Sequence, residues 1–322
     1  MKKFSIEIRP AGVKYKSGTN ILSDALAESI HLEHSCKTGE CGVCSAQVVS
    51  GSIENEHGEV VTDGRILTCQ SKAVSDAIIE ATYYPELANI NEQTLPCKVS
   101  KVDYVTDDIV RLSFRFPPNA TLDYLAGQYV DLCFKGVKRS YSIGNAPSSS
   151  SFVELHIRNV EGGKMSELIF NDLKENELMR IEGPKGTFFV RDSNLPLILI
   201  AGGTGIAPIK AIVEDLIAKQ DKRKLYIYWG MPSIDGFYLD YFQSIEQVYS
   251  NVHYVPVLSG EETWDGRKGF VHSAVCDDFE TFEQYQVYAC GSPLMIDAAK
   301  AAFIEKGLPS DAFFSDAFTP AK

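Results

Sequence analysis

The sequence predicts a multidomain chain of mixed class: a β-rich, cysteine-bearing domain over residues 1–92, an antiparallel β-barrel over 93–193, and a parallel-sheet α/β domain over 194–322. Three observations carry that prediction. Four of the eight cysteines fall in the first third at tight spacing. Short alternating segments separated by Gly and Pro turns fill the middle. From residue 197 onward, apolar strand-like runs alternate with helical patterns. At 322 residues the chain is too long for one ordinary domain and comfortable for two or three.

Phe4, Ile6 and Ile8 share one face of a first strand, so MKKFSIEIRP reads as structure and not as a signal peptide. Residues 21–30 fit a helix with Asn20 as its N-cap. Strands are expected near 46–49, 66–69 and 78–82. A polar connector, ELANINEQTL, bounded by Pro85 and Pro96, is the best linker candidate. In the barrel region, residues 110–116, 129–134 and 152–157 alternate, and one short helix is expected near 166–173. In the last third, the run 197–201 leads into AGGTGIAP. A helix follows with Ile209, Ile212, Val213, Leu216 and Ile217 on one face and Pro208 in its first turn. Further strands are expected near 225–229, 253–257 and 286–290.

The net charge of −12 is unevenly spread: acidic against basic residues number 13 to 8 in residues 1–92, 13 to 13 in 93–193, and 17 to 10 in 194–322. No basic face is left for nucleic acid. An acidic first third suits a partner with a basic docking surface, and equally an ordinary solvated surface. The most apolar stretch, 195–209, is too interrupted by Gly and Pro to span a membrane, so a cytoplasmic location is expected.

Cys36, Cys41 and Cys44 form C-x4-C-x2-C, and Cys69 follows after 24 intervening residues. That spacing suits a plant-type [2Fe–2S] cluster. Three thiolates from one loop wrap a small anionic cluster, Gly39 and Gly42 turn backbone N–H groups inward, and the fourth ligand closes the cage. A structural zinc site would favour two paired C-x2-C knuckles, and only one pair exists. A Rieske centre would need two histidine ligands, and His31 and His34 stand at the wrong spacing. The remaining cysteines, Cys97, Cys133, Cys276 and Cys290, read as reduced thiols.

Arg139, Ser140, Tyr141 and Ser142 end a strand in the barrel region and offer a cation, an aromatic face and two hydroxyls, the groups a flavin needs. Downstream, Gly163 and Ser166 precede or open a helix where N–H groups and a hydroxyl can hold phosphate. Gly203, Thr204 and Gly205 lie between strand and helix, where a glycine turn brings N–H groups to a pyrophosphate. Cys290 and Gly291, in ACGSP, end another strand before a helix. Cys290 fits either a place beside a nicotinamide or an ordinary buried position. After residue 229 no Arg stands ready for a 2′-phosphate, and Asp235 can accept from a ribose hydroxyl, which favours NADH over NADPH.

Taken in order, CKTGECGVC with Cys69, RSYSIGNAP, AGGTGIAP and YACGSPLM resemble the ferredoxin–NADP⁺ reductase superfamily, specifically its members with an N-terminal plant-type ferredoxin domain. The resemblance spans essentially the whole chain. It implies a β-grasp ferredoxin-like domain, a flavin-binding barrel and a nucleotide-binding α/β domain. It also implies that Arg139, Tyr141 and Ser142 hold FAD with Gly163 and Ser166 at its phosphates. Gly203, Thr204 and Gly205 would line the nicotinamide-nucleotide site, Cys290 and Gly291 would lie near the reacting ring, and Phe318 would be the C-terminal aromatic that covers the flavin.

Within that group, TYYPELANI and FFSDAF are similar to the reductases that serve CDP-6-deoxy-4-hexulose-3-dehydrases in 3,6-dideoxyhexose synthesis. The implied partner is a pyridoxamine-phosphate (PMP)-dependent sugar dehydrase that takes electrons one at a time. The alternatives are a reductase of an aromatic-ring hydroxylating oxygenase, which shares every cofactor motif, and a non-enzymatic redox sensor, which predicts negligible turnover with NADH.

Overall fold

Alternation at Phe4, Ile6 and Ile8 forms strand β1 (Phe4–Arg9) in the computed structural model, where Ile6 and Ile8 are fully buried. Residues 2–34, 37, 39, 42–148, 152–260 and 264–318 are described. The chain divides into two units, Met1–Asn91 and Glu92–Lys322.

In the first unit, β1 is followed by β2 (Val13–Ser17), α1 (Ile21–Ala27), β3 (Ser45–Ser50), β4 (Ile53–Glu54), β5 (Val60–Val61), β6 (Gly64–Leu67), β7 (Lys72–Ala73) and β8 (Ala77–Glu80). The main sheet has the order β2-β1-β8-β3-β6, and β1 and β8 run parallel while the other pairs are antiparallel. A helix packed on a mixed sheet with a parallel central pair is the β-grasp arrangement. Asn20 caps α1, accepting the Ser23 N–H at 2.9 Å, as its sequence position predicts. The helix stops at Ala27, short of the expected residue 30, because Ser29 turns into the left-handed region at φ 57°. Its apolar face, Ile21, Leu22 and Ala25, joins Val48, Ile66 and Ile79 in one core.

The second unit begins with a six-stranded antiparallel sheet. Its strands are β9 (Gln93–Tyr104), β10 (Ile109–Arg115), β11 (Tyr129–Phe134), β12 (Val137–Ser142), β13 (Phe152–Arg158) and, after α2 (Lys164–Asp172), β14 (Leu178–Lys185). The order is β12-β11-β14-β9-β10-β13. The two edge strands meet just past β12, where Ile143 bridges Leu155 and the Gly144 N–H reaches Glu154 O at 2.8 Å. The sheet thus curls into a barrel around Val110, Leu112, Phe114, Val130, Leu132 and Leu155. The end of the expected linker is strand: β9 starts at Gln93, paired with Gly183 of β14.

The chain continues through β15 (Leu197–Gly202), α3 (Ile206–Ala218), β16 (Leu225–Met231), α4 (Tyr241–Val248), β17 (Val252–Leu258), β18 (Arg267–Lys268), α5 (Val271–Asp278), β19 (Gln286–Gly291), α6 (Pro293–Glu305) and β20 (Phe313–Ala317). All six strands are parallel in the order β18-β17-β16-β15-β19-β20. The order reverses between β15 and β19, so a crevice opens at their carboxyl ends. The apolar run Leu197–Ala201 is buried on both faces, as a central parallel strand requires. Among the described residues, no helix is long and apolar enough to cross a membrane.

Candidate functional site

Cys44 sits one residue before β3 and Cys69 two residues after β6, and the pairing of Ser45 with Leu67 brings these ends together. The two sulfurs lie 3.0 Å apart, both buried and both free thiols. Thr68 fixes the junction by donating both its N–H and its hydroxyl to Cys44 O, at 3.0 and 3.1 Å. Asn20 ties the helix start to the same place, its side-chain amide donating to Cys69 O at 2.7 Å. Burial pushes the Cys69 thiol up to about 11, with Cys44 adding to the shift. Two neighbouring buried thiolates need a bound cation, so this donor set fits a metal centre. Gly39 and Gly42 take left-handed φ of 88° and 70°, as a loop that turns its N–H groups inward demands. Cys36 and Cys41 lie outside the described residues. Gln70 is an addition that spacing did not single out. Its amide donates to Lys37 O at 3.2 Å and reaches the Cys69 sulfur at 3.8 Å.

On β12 the period-2 pattern places Arg139 and Tyr141 on one face and Ser140 and Ser142 on the other. Arg139 donates to Lys138 O at 2.7 Å. Tyr141 packs on the barrel core, and burial pushes its hydroxyl up to about 12. Ser140 is bonded to Asp131 at 2.5 Å, so its hydroxyl serves the barrel. Gly163 is the N-cap of α2 and has no room for a side chain, since a Cβ would lie 2.6 Å from Ser166 Oγ. Ser166 is buried and accepts the Val160 N–H at 3.1 Å while donating to Gly163 O at 2.9 Å. It therefore shapes the turn whose N–H groups open the helix.

Gly203, Thr204 and Gly205 form a single tight turn between β15 and α3. Gly203 has φ 59°, and a Cβ on Gly205 would stand 2.3 Å from Cys290 O, so the glycine turn rests directly on the end of β19. Cys290 is fully buried; burial, with Asp316 adding, raises its thiol far above the ordinary range and keeps it neutral. The Phe318 N–H donates to Gly291 O at 2.8 Å, which anchors the chain's last described residue at this crevice.

The structure brings one further group here that sequence reasoning missed. Asp316 on β20 pairs in register with Cys290 and accepts a hydrogen bond from the Ser142 hydroxyl at 3.1 Å. Burial raises its carboxyl above the usual range. Ser142, Cys290 and Asp316 thus converge from β12, β19 and β20 on one point. The only signal in the sequence is an acidic residue in an otherwise small and apolar strand, FFSDAF.

At the carboxyl end of β16, Asp235 is exposed in the turn Ile234–Gly236. Arg267, at the sheet edge, is bonded to Asp278 and so is engaged within the fold.

Comparison with known proteins matches three families in this order. The 2Fe-2S iron-sulfur cluster binding domain covers residues 6–74, the oxidoreductase FAD-binding domain 96–190, and the oxidoreductase NAD-binding domain 199–301. The CDP-6-deoxy-L-threo-D-glycero-4-hexulose-3-dehydrase reductase of Yersinia pseudotuberculosis serotype I (strain IP32953) is 49% identical over 99% of each chain. The chain belongs to the family of hexulose-dehydrase reductases. A second relative of these reductases, Protein RfbI of Salmonella typhimurium, is 48% identical over 98% of this chain and 96% of its own. Reductase component 1 of terephthalate 1,2-dioxygenase from Comamonas sp is 30% identical over 94% of this chain and 92% of its own. Among solved structures, the cytochrome P450 reductase GcoB of Amycolatopsis is similar with TM-score 0.78 and 27% identity, covering 99% of this chain and 100% of its own. As a member of the ferredoxin–NADP⁺ reductase superfamily, the chain is an oxidoreductase that uses FAD, NAD(H) and a [2Fe–2S] cluster.

Proposed function

We propose that this protein is an NADH-dependent FAD/[2Fe–2S] reductase that delivers electrons singly to a PMP-dependent CDP-6-deoxy-4-hexulose-3-dehydrase in 3,6-dideoxyhexose synthesis. One observation carries the reading: the Ser142–Asp316 hydrogen bond of 3.1 Å joins β12 to β20, the neighbour of β19, beside the crevice at which the strand order reverses. Similarity of 49% along the full length to a dehydrase reductase supports the partner.

The domains in this reading are 1–92 for the cluster, 93–193 for FAD and 194–322 for NAD(H), and each contains one family match. Cys36, Cys41, Cys44 and Cys69 ligate the cluster. Arg139, Ser140, Tyr141 and Ser142 hold FAD, with Gly163 and Ser166 shaping the turn for its phosphates. Gly203, Thr204, Gly205 and Gly291 line the nucleotide, whose pyrophosphate suits the N-terminus of α3. Cys290 contributes a dry, neutral surface beside the reacting ring, Ser142 holds a proton toward Asp316 Oδ2, and Phe318 is the aromatic assigned to the flavin face. When bound, FAD accepts a hydride as a pair and releases electrons singly, and the cluster carries one at a time. Thiolate ligation and an NADH supply both suit the cytoplasm.

Anaerobic NADH added to the purified holoprotein is expected to bleach the flavin and raise a rhombic [2Fe–2S] EPR signal. Addition of the dehydrase loaded with its sugar substrate should discharge that signal. Appearance without discharge would move the partner to an aromatic-ring oxygenase, a second reading favoured by the 30% identity to a dioxygenase reductase. No signal at all would overturn the reading.

A further inference from the structure

The contact between the barrel and the parallel sheet contains a buried polar chain that cofactor binding does not account for. Lys210 lies in the second turn of α3 and is only 8% exposed. Its ammonium donates to Gly144 O at 2.8 Å and to Glu154 Oε1 at 3.1 Å, and forms an ion pair with Glu214 Oε1 at 2.7 Å. The other oxygen of Glu214 accepts the Ala146 N–H at 2.9 Å. Glu154 Oε1 also lies 2.9 Å from His156 Nε2, and His156 Nδ1 lies 2.9 Å from the Tyr238 hydroxyl.

From Tyr238 the path continues by packing. The Tyr238 ring meets Trp229 edge-on, with centroids 5.2 Å apart, and Trp229 Nε1 donates to Gly203 O at 2.9 Å. One end of the chain is thus the glycine turn itself. The other end is Gly144 and Ala146, two and four residues beyond Ser142 on the segment that leaves β12. The approach is close: a Cβ on Gly144 would fall 2.9 Å from His156 Nε2.

A buried ammonium held by two carboxylates adds little net stability compared with apolar side chains of the same volume, because its desolvation offsets the attraction. What it does supply is geometry. The Lys210–Gly144 and Glu214–Ala146 bonds hold α3 against the segment following Ser142, the Lys210–Glu154 bond ties α3 to β13, and the Tyr238–Trp229 arm holds the glycine turn.

We propose that Lys210, together with Glu154 and His156, is a positioning residue that sets the nicotinamide-binding turn against the flavin strand and thereby sets the rate of hydride transfer. This rests on the proposed reductase function. Because hydride transfer is sensitive to displacements of an ångström or less, a loosened chain lowers that step selectively. The nicotinamide takes no part in electron transfer from flavin to cluster, so that step keeps its rate.

The test compares the wild-type holoprotein with Lys210→Met and Glu154→Gln by anaerobic stopped flow. Ile212→Val serves as a control that trims the same helix without touching the chain. Flavin reduction by NADH is expected to slow about tenfold or more in both network variants. In steady state, kcat should fall with little change in KM for NADH. Cluster reduction after photoreduction of the flavin should match wild type, and Ile212→Val should reduce normally. Wild-type hydride rates in Lys210→Met, or equal slowing of the flavin-to-cluster step, would overturn the proposal. If Lys210→Met does not fold, Glu154→Gln decides by the same rates, since it keeps the volume but removes the charge that holds the Lys210 ammonium and leaves a weaker bond. Failure of NADH to reduce wild-type flavin that dithionite does reduce would overturn the reductase reading itself.

Discussion

Ser142 and Asp316 stand 174 positions apart in sequence and share a hydrogen bond of 3.1 Å at the end of the flavin strand. Ser142 is 6% exposed and Asp316 is half-buried against it. Burial dominates and raises its pKa, with the Ser142 bond opposing the shift. A raised native pKa means the folded chain binds this proton more tightly than the unfolded chain. The contribution of Asp316 to stability is therefore most favourable below its unfolded value of 3.8 and declines as pH rises through its folded value. Asp316→Asn is expected to remove that decline. Urea unfolding of the two proteins between pH 4 and about 7 should show their stability difference growing in favour of the variant as pH rises. A constant difference would mean that Asp316 is not desolvated.

Gly205 is pinned by Cys290. A Cβ there would lie 2.3 Å from a backbone carbonyl, which cannot swing aside as a side-chain end can. Gly205→Ala must push the glycine turn off β19, at a cost of about 1–3 kcal/mol by analogy with overpacked cores. The displaced turn should slow flavin reduction by NADH about tenfold or more while dithionite reduction stays normal. Thermal unfolding and stopped-flow reduction of one preparation check both parts.

The parts legible in sequence were those written locally. C-x4-C-x2-C, RSYS and AGGTGIAP each lie within one turn or strand, and the apolar periods around them gave the strand and helix types. Asp316 was not legible because its partner depends on β20 joining β19 and on β12 reaching the same sheet, both set by tertiary packing. Lys210 was hidden for a related reason: next to Ile209 on an apolar helix it reads as a solvent-facing residue, yet it is buried against a second sheet. The polar connector up to Pro96 read as linker because its strand partner, Gly183, is ninety residues away. Ser166 illustrates the opposite limit. Its position at the start of a helix was visible, but its hydroxyl bonds the turn itself.

Acid should act on the Lys210 chain through Glu154. Burial alone would push that carboxyl up, but hydrogen bonds from His156 and Lys210 more than reverse it and hold it below the usual range. A depressed pKa contributes stability that is fully present above the unfolded value of 4.5 and lost as pH falls through the folded one. Glu154→Gln cannot lose a charge on acidification. The wild-type advantage over this variant should be constant near neutrality and shrink below pH 4.5. Chemical unfolding in parallel at several pH values measures it, and an advantage that persists unchanged far below that value would show that the carboxylate is not held by this network.

The last prediction separates the two halves of electron delivery. Cys69 lies beside Cys44 with its sulfur 3.0 Å away, and burial outweighs the Gln70 and Gly39 hydrogen bonds that favour its ionisation, so a bound metal centre is needed to hold the thiolate. Cys69→Ser replaces it with a hydroxyl that ionises far less readily and binds iron more weakly. Since the FAD-binding and NAD-binding family matches fall at residues 96–190 and 199–301, oxidation of NADH by a two-electron dye should stay within about twofold of wild type. One-electron delivery to the dehydrase should fall by about a hundredfold or more, because no other one-electron carrier is assigned to the chain. The [2Fe–2S] EPR signal should disappear or change its g-values in the same preparation. Survival of both activities would mean that electrons leave directly from the flavin and that the cysteine cluster serves structure alone.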